Sequence, residues 1–306
     1  MRIAMIGLGR MGLNMTIRLI KGGHQVIGYD PTPQALAKAA RAGARKAGSL
    51  EDVARQLKSP RVVWLMIPAG RPVWEAVDKL SGLLSPGDMV VDGGNSHYKD
   101  AARHSQTLGR RGISFMDVGV SGGIWGLKDG YCLMAGGQAR DFRRLEPALR
   151  TLAPKDGYAL VGPTGAGHFA KMVHNGVEYA MMQGYAEGFA LARSSPFKID
   201  LRGLCRLWSR GSVVRSWLLE LAEEAFRKDP QLKGLHGWVA DSGEGRWTVL
   251  DSVERGVPTP AITMALYERF RSRMRDSFED KVLAALRQEF GGHAVRPAAA
   301  KRGRSR

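Results

Sequence analysis

Cysteine is scarce in this chain: there are two, Cys132 and Cys205, in 306 residues. They lie far apart, and neither belongs to a CxxC motif or has a histidine beside it. A disulfide framework and a zinc site are therefore not indicated, no metal is expected, and a reducing cytoplasmic location fits. Long apolar runs are also missing, and polar and glycine residues interrupt the N-terminal segment too early for a secretory signal.

Acidic residues are few as well, with 29 Asp and Glu against 46 Lys and Arg, which gives a net charge of +17. Such an excess fits binding to nucleic acid or to a membrane surface, and it equally fits attraction of a small anionic substrate. Because no zinc-finger, RRM or KH signature occurs, nucleic-acid binding is the minor alternative. Part of the excess lies in residues 294–306, which are predicted to be a disordered basic tail.

Strand-like segments are confined to the first half of the chain. Strand and helix patterns alternate up to residue 163, which predicts an α/β domain with a doubly wound, mainly parallel sheet of the Rossmann type. A long helix without proline follows from residue 164, and the remaining periodic segments are helical. We therefore expect an all-α domain over 164–293, with its further helices at 201–208, 213–226, 248–255, 261–274 and 278–289.

A glycine-rich loop, Gly7-Leu8-Gly9-Arg10-Met11-Gly12, stands between the first strand and a helix. The next strand ends in Asp30, and this context makes a dinucleotide-binding fingerprint more specific than the glycines alone. The glycines permit a tight turn, approach of a pyrophosphate to the backbone, and close packing of helix on strand. Asp30 would bind the ribose hydroxyls and repel a 2′-phosphate, which favours NAD over NADP. A plain glycine turn is the alternative.

Other loops follow predicted strands at the same edge of the sheet. Pro68-Ala69-Gly70 comes directly after a buried strand, and Asp92-Gly-Gly-Asn95-Ser96 follows the next strand. Because ligands of doubly wound sheets lie beyond the carboxyl ends of the strands, Pro68 and Ala69 should approach the nicotinamide.

The long helix carries four polar side chains at helical spacing: Lys171, His174, Asn175 and Glu178. The offsets i, i+3, i+4 and i+7 fall on one helical face. An internal Lys–Glu pair on a solvated face is one interpretation. The helix is apolar elsewhere and rich in glycine, which favours a mostly buried active-site helix whose Lys has a lowered pKa and acts as a base.

Together the glycine loop, Asp92-Gly-Gly-Asn95-Ser96, Ser121-Gly-Gly123 and Lys171-Met-Val-His-Asn-Gly-Val-Glu-Tyr179 closely resemble the 6-phosphogluconate dehydrogenase family. Its members are decarboxylating enzymes of the β-hydroxyacid dehydrogenase superfamily. Relatives that act on smaller hydroxyacids typically carry Asn rather than His-Asn after the Lys, so this stretch is specific. The resemblance extends from residue 1 to about 293, and it is to the short bacterial form, whose helical domain lacks the duplicated half.

The resemblance implies oxidative decarboxylation of 6-phospho-D-gluconate to D-ribulose 5-phosphate and CO2, with NAD, in the pentose phosphate pathway. Lys171 would take the proton of the 3-hydroxyl and later return one to the carbonyl oxygen as the enediol forms. Glu178 would protonate C1. The implied contacts are Ser121, Gly122, Gly123 and His174 on the carboxylate, Asn95 and Asn175 on substrate hydroxyls and the nicotinamide carboxamide, and Tyr179 on the phosphate.

Two matches lie further along the chain. Arg269 falls where the family has a phosphate-binding Arg, and Arg287-Gln-Glu-Phe-Gly-Gly-His293 matches a C-terminal pattern of the family. In that pattern the Arg and the His reach a neighbouring subunit's active site, which implies a homo-oligomer, either a dimer or a tetramer. A solvated helix end is the alternative for Arg287 and His293.

One segment departs from the family pattern. Long-form members carry Asn/Gln-Lys-Gly-Thr-Gly-x-Trp with a phosphate-binding Lys, whereas this chain has Asp241-Ser-Gly-Glu-Gly-Arg246-Trp247. Arg246 is the candidate substitute for that Lys. The missing Lys leaves open an alternative function, an NAD-dependent dehydrogenase of another 3-hydroxyacid in the same superfamily. NADP-type members also carry an Arg after the second strand, which is absent here, and this favours NAD.

Overall fold

The computed structural model describes residues 1–291 and 294–296. The chain divides into two compact units, residues 1–181 with 242–262, and residues 182–241 with those from 263 on. The first unit holds an eight-stranded sheet. Its strands are β1 (Arg2–Ile6), β2 (Gln25–Tyr29), β3 (Arg45–Lys46), β4 (Val62–Leu65), β5 (Met89–Asp92), β6 (Ser114–Ser121), β7 (Cys132–Gly136) and β8 (Tyr158–Gly162).

The sheet is doubly wound, with strand order β3-β2-β1-β4-β5-β6-β7-β8. Neighbouring strands are parallel except for the pair β6 and β7, which is antiparallel. Successive residues of a strand point to opposite faces, so Ile3 and Met5 join one apolar core while Ala4 and Ile6 join another. This arrangement confirms the predicted α/β fold with a mainly parallel sheet.

Helices cover the sheet, and only helices follow it among the described residues. The helix ranges expected after residue 200 agree with the structure to within four residues. Ser49 caps the helix Leu50–Gln56 by accepting a bond from Asp52 N at 3.2 Å. The two-residue strand β3 and the polar helix Tyr98–Gly109 were not predicted. The helices are α1 (Arg10–Lys21), α2 (Pro33–Arg41), α3 (Leu50–Gln56), α4 (Arg71–Leu83), α5 (Tyr98–Gly109), α6 (Gly126–Asp129), α7 (Ala139–Leu152), α8 (Ala166–Ser194), α9 (Leu201–Trp208), α10 (Trp217–Lys228), α11 (Glu244–Arg255), α12 (Pro260–Arg271) and α13 (Phe278–Gly291).

The prediction that the long helix α8 is mostly buried is wrong for its second half. Burial is regular as far as Tyr179. Beyond it Phe189 joins an apolar cluster with Cys205, Leu219 and Phe226, whereas Met181, Met182 and Leu191 are exposed. An apolar sequence specifies a helix that can be buried, not what covers it. No described helix is both long and apolar enough to cross a membrane.

The start of α8 is fixed to the sheet by a buried carboxylate. Asp117, in the middle of β6, accepts hydrogen bonds from Gly165 N at 2.7 Å and from His168 N at 2.8 Å. Free amides and the positive end of the helix dipole stabilise a negative charge at this position. Gly167 permits the close approach, since a Cβ there would lie 2.5 Å from Asp117 O.

We predict that Asp117→Asn destabilises the protein by about 2–4 kcal/mol, because one acceptor oxygen becomes an amide that faces a backbone N–H. The free energy of unfolding, measured by urea titration, checks this. Asp78→Asn is the matched control, because Asp78 is exposed on α4 and should change stability by less than about 0.5 kcal/mol. Equal effects of the two substitutions would contradict the role of Asp117.

Candidate active site

The glycine loop has the geometry that a dinucleotide site requires. A Cβ on Gly12 would lie 2.0 Å from Gly7 O, so helix α1 approaches strand β1 as only glycine allows. A Cβ on Gly9 would meet nothing within 4 Å, and Gly9 caps α1 without a side-chain bond to its amides. The first-turn amides, beginning at Arg10 and Met11, therefore border open space, and the loop fits a pyrophosphate.

Asp30 lies directly after β2, as predicted, and it contacts the glycine loop itself. Its Oδ2 accepts a hydrogen bond from Leu8 N at 2.7 Å, and its Oδ1 accepts one from Thr32 N at 2.8 Å. Sequence reasoning expected only a ribose contact and missed the bond to Leu8. The carboxylate therefore fixes the loop backbone as well as adding a negative charge beside it.

The loops after β4 and β5 lie next to each other. A Cβ on Gly94 would be 2.8 Å from Ile67 O, which puts the segment Gly94-Asn95 against Ile67-Pro68. Pro68, Ala69 and Asn95 are all exposed. The second loop is also linked to α8, because His168 Nε2 lies 3.1 Å from Asp92 O.

The side chain of Lys171 packs directly on Gly119, a residue of strand β6. A Cβ on Gly119 would be 2.4 Å from Lys171 Cβ and 2.8 Å from Gly167 O, so any larger residue in β6 would push the lysine away. The packing leaves Lys171 only 8% exposed. Among the described residues its amine has no hydrogen-bond partner and no carboxylate oxygen within 4.0 Å. It is therefore available to a ligand.

The charge on this amine is set by opposing influences. Burial lowers the pKa of Lys171 from its ordinary value, and the negative charges of Glu178, Glu244 and Cys132 oppose that shift. Burial is the largest influence, so more of the amine is neutral near pH 7 than in an exposed lysine. A neutral amine can accept a proton, which is what a general base needs.

His174 connects four of the predicted site residues. Its Nε2 lies 3.2 Å from Ser121 Oγ, and its Nδ1 lies 3.1 Å from Asn175 Oδ1 and 3.8 Å from Glu178 Oε2. Burial and the positive charge of Lys171 lower the pKa of His174. A neutral ring that donates from Nδ1 to Asn175 leaves Nε2 to accept from the Ser121 hydroxyl.

The turn after Ser121 depends on glycine. Gly122 has φ +134° and Gly123 has φ +53°, backbone conformations that residues with a side chain rarely adopt. A Cβ on Gly122 would also lie 3.1 Å from Tyr131 Cδ1. Burial raises the pKa of Tyr131 to about 12, so this ring is a neutral support beneath the turn.

Helix α11 adds an acid that sequence reasoning missed. Glu244 is 3% exposed and accepts a hydrogen bond from the Ser242 hydroxyl. We expected this helix to begin at residue 248, which left Glu244 in a loop, but it begins at Glu244. The available signal was an acidic residue between two glycines just before an apolar helix, at a position where long-form members have Thr.

The same helix packs on α8 at the residues next to this cluster. Thr248 Oγ1 donates to Met172 O at 2.9 Å, and a Cβ on Gly245 would lie 2.4 Å from the Tyr179 ring. Ser242 N donates to Tyr179 Oη at 3.4 Å. Tyr179 is thus buried against the start of α11.

The remaining predicted residues are Arg246, Arg269, Arg287 and His293. Arg246 is exposed on α11. Arg269 belongs to the second unit, where its Nη1 donates to Ala240 O at 3.0 Å, and Arg287 is exposed on α13. His293 lies outside the described residues. The roles of these four residues stay predictions.

Comparison with known proteins covers most of the chain. Residues 2–162 match the NAD binding domain of 6-phosphogluconate dehydrogenase, and residues 167–297 match the 6-phosphogluconate dehydrogenase C-terminal domain. The NAD(+)-dependent, decarboxylating 6-phosphogluconate dehydrogenase of Haloferax volcanii is 42% identical over 297 residues, which are 96% of this chain and 98% of that one. YqeC of Bacillus subtilis is 43% identical over 296 residues, 96% of this chain and 99% of that one.

A solved structure of the same family is also similar to this chain. That of Plasmodium falciparum 6-phosphogluconate dehydrogenase has a TM-score of 0.81 and 26% identity, and the match covers 98% of this chain and 67% of that one. Both halves of the sequence and the sheet with its catalytic helix thus agree with one family. The chain belongs to the 6-phosphogluconate dehydrogenase family, in its short form.

Proposed function

We propose that this protein catalyses the NAD-dependent oxidative decarboxylation of 6-phospho-D-gluconate to D-ribulose 5-phosphate and CO2. One observation carries the proposal: Lys171 is buried on the bare Gly119, with an unpaired amine among the described residues, on the helix face that presents His174 and Glu178. A base, an acid and hydrogen-bonding groups in one cluster suit removal of a hydroxyl proton followed by protonation of carbon.

The cofactor proposed for the glycine loop is NAD. The open N-terminus of α1 at Gly9 suits the pyrophosphate, and the Asp30 carboxylate is suited to ribose hydroxyls and repels a 2′-phosphate. When bound, the nicotinamide supplies the capacity to accept a hydride from C3 of the substrate. Pro68, Ala69 and Asn95, on the two adjacent exposed loops, are the proposed contacts of its carboxamide end.

Lys171 is the proposed general base. Burial keeps a larger fraction of its amine neutral, so the amine can take the proton of the 3-hydroxyl as C3 is oxidised. The new 3-ketone is the electron sink that lets the adjacent carboxylate leave as CO2. Lys171 is protonated by then, and it donates that proton to the ketone oxygen as the enediol forms.

Ser121 and His174 are the proposed ligands of the carboxylate that is lost. Their 3.2 Å contact brings both side chains to one point, next to the glycine turn at Gly122 and Gly123. To donate to the carboxylate, the neutral His174 ring must carry its proton on Nε2, with Nδ1 then accepting from the amide nitrogen of a turned Asn175 side chain. A neutral ring holds the carboxylate without the full stabilisation of a cation, which would oppose its departure. Asn175 fixes the ring through Nδ1 and is the proposed contact of a substrate hydroxyl.

Glu178 is the proposed acid that protonates C1 of the enediol. It lies one turn beyond His174, and its side chain is 41% exposed, so it can exchange protons with solvent between turnovers. For the phosphate we propose Tyr179, with Arg246 in place of the Lys of the long form, and with Arg269, Arg287 and His293 as further contacts. Planar, multi-donor Arg is well matched to a phosphate group.

A homo-oligomer is also proposed. Val173, Val177 and Met181 form an exposed apolar stripe at spacing i, i+4 and i+8 on α8. We predict that the mass in solution, measured by light scattering on a sizing column, is at least twice 33.4 kDa. Val177→Asp should shift that mass towards the monomer, and the exposed Val213→Asp in the second unit should not. A monomeric wild type would contradict the proposal.

The activity itself is tested by initial rates with 6-phosphogluconate, using NAD and NADP in parallel and following CO2 in the same reaction. We expect turnover with NAD, a clear preference over NADP because of Asp30, and one CO2 for each NADH formed. Absence of turnover with both cofactors would remove the proposal, and unphosphorylated 3-hydroxyacids would be screened next. Reduction of NAD without CO2 release would favour a non-decarboxylating dehydrogenase.

If Lys171 is the base and Glu178 the acid, replacing either one should cause a large loss of kcat. Lys171→Met and Glu178→Gln should each lower kcat by about 10²–10⁴-fold, since each removes one proton transfer. The controls are Lys155→Met, an exposed lysine, and Glu187→Gln, an exposed acid further along α8. Both controls should keep the wild-type kcat. A Lys171→Met enzyme with unchanged kcat would exclude Lys171 as the base.

A further inference from the structure

A second buried acid, Glu244, begins the helix α11 and has no task in the mechanism above. Glu244 is 3% exposed, which is rare for a carboxylate without a compensating partner. Among its described contacts is the Ser242 hydroxyl, which donates to it. A charge buried at this cost needs an explanation, either structural or functional.

The contacts of α11 hold its first turns against α8, and Glu244 is among the charges that act on Lys171. Gly245, the next residue, lies against the Tyr179 ring, and Thr248, one turn later, donates to Met172 O directly after Lys171. A Cβ on Gly176 would lie 2.7 Å from Thr248 Cγ2, so α8 and α11 approach each other closely at a point where α8 has no side chain. The first turn of α11 is therefore held next to the part of α8 that carries Lys171.

We propose that Glu244 is a positioning residue of the catalytic centre, whose buried carboxylate supplies a constant negative charge next to the Lys171 amine. The proposal rests on the role of Lys171 given under the proposed function. It assigns to this chain a residue that the family pattern of the long form, with Thr at this position, does not contain.

Several charged or titratable groups act on Lys171, and they come from three elements. On α8, Glu178 attracts the ammonium while His174 and Lys171 disfavour each other's charge. From β7 the Cys132 thiol, when ionised, attracts the ammonium, and from α11 Glu244 does so. Burial opposes all these attractions and is the largest influence.

The two acids differ in what happens to them during the reaction. Glu178 is partly exposed and is proposed to give up its proton to C1, so its charge changes within each cycle. Glu244 is buried and is not needed for a proton transfer. A lysine that must first take a proton and then keep it until the enediol forms benefits from a charge that stays in place. Burial alone would make the ammonium too unstable to hold.

Removing the Glu244 charge should therefore make Lys171 lose its proton at lower pH. The test is the pH dependence of Lys171 acetylation by acetic anhydride in the full-length protein without substrate, followed by mass spectrometry of the Lys171 peptide. In Glu244→Gln the midpoint should fall by about one pH unit, and labelling below the midpoint should be up to about tenfold faster. The matched control is Glu254→Gln, at the exposed end of the same helix, which should leave the midpoint unchanged.

Two further variants separate charge from structure. Glu244→Asp keeps the charge and should keep the midpoint near that of the wild type. Glu244→Thr is neutral and smaller, and it should reproduce the shift of Glu244→Gln, so a folding failure of one neutral variant leaves the other to decide. Circular dichroism identifies the folded variants. An unchanged midpoint in a folded neutral variant would overturn the proposal.

The same variants give a second measurement in the working enzyme. The rate kcat/KM falls at low pH as Lys171 becomes protonated, and in Glu244→Gln this acid limb should move to lower pH by the same amount. A lower rate with an unmoved limb would mean that Glu244 is only structural. If the wild type does not turn over 6-phosphogluconate, the proposed function fails, but the acetylation experiment still decides the effect of Glu244 on Lys171.

Discussion

The catalytic arrangement depends on the register between one strand and one helix. Asp117, Gly119 and Ser121 are alternate residues of β6, so they point to the same face of the sheet. They contact, in order, the first amides of α8 at Gly165 and His168, then Lys171, then His174. Two strand residues advance about 6.6 Å and three helix residues about 4.5 Å, so the reach of the side chains makes up a difference of about 2 Å per step.

Each contact of that register has a different physical character. The first is a buried carboxylate on free helix amides, the second is close packing on a bare glycine, and the third is a hydrogen bond between side chains. Because the first two fix the axis and the distance of the helix, the third brings a serine and a histidine together, and Asn175 holds the histidine ring from its other nitrogen. The lysine amine is buried for the same reason, since the strand leaves no side chain to hold it away.

Local patterns in the sequence were enough to predict much of the fold and part of the candidate site. The glycine loop with Asp30 identified the cofactor domain, and the spacing of Lys171, His174 and Glu178 predicted that they share one face of the helix. These signals lie within one or two elements. The cap by Asp117 and the approach of Glu244 to α8 join residues separated by 48 or more positions, and no periodicity encodes such pairs. Burial of the second half of α8 was wrongly expected, because helical apolar spacing does not state what covers a face.

Asp30 has a consequence for any attempt to change the cofactor. Its carboxylate also binds the backbone of the glycine loop at Leu8, so the group that would discriminate between ribose and ribose phosphate also supports the loop that would bind the pyrophosphate. Replacing Asp30 by a small neutral residue would remove a repulsive charge and a structural bond together. Discrimination between the two cofactors and affinity for their pyrophosphate would therefore both depend on the Asp30 side chain. A redesign for a phosphorylated cofactor would need a new acceptor for the Leu8 amide before it could benefit from a new cation.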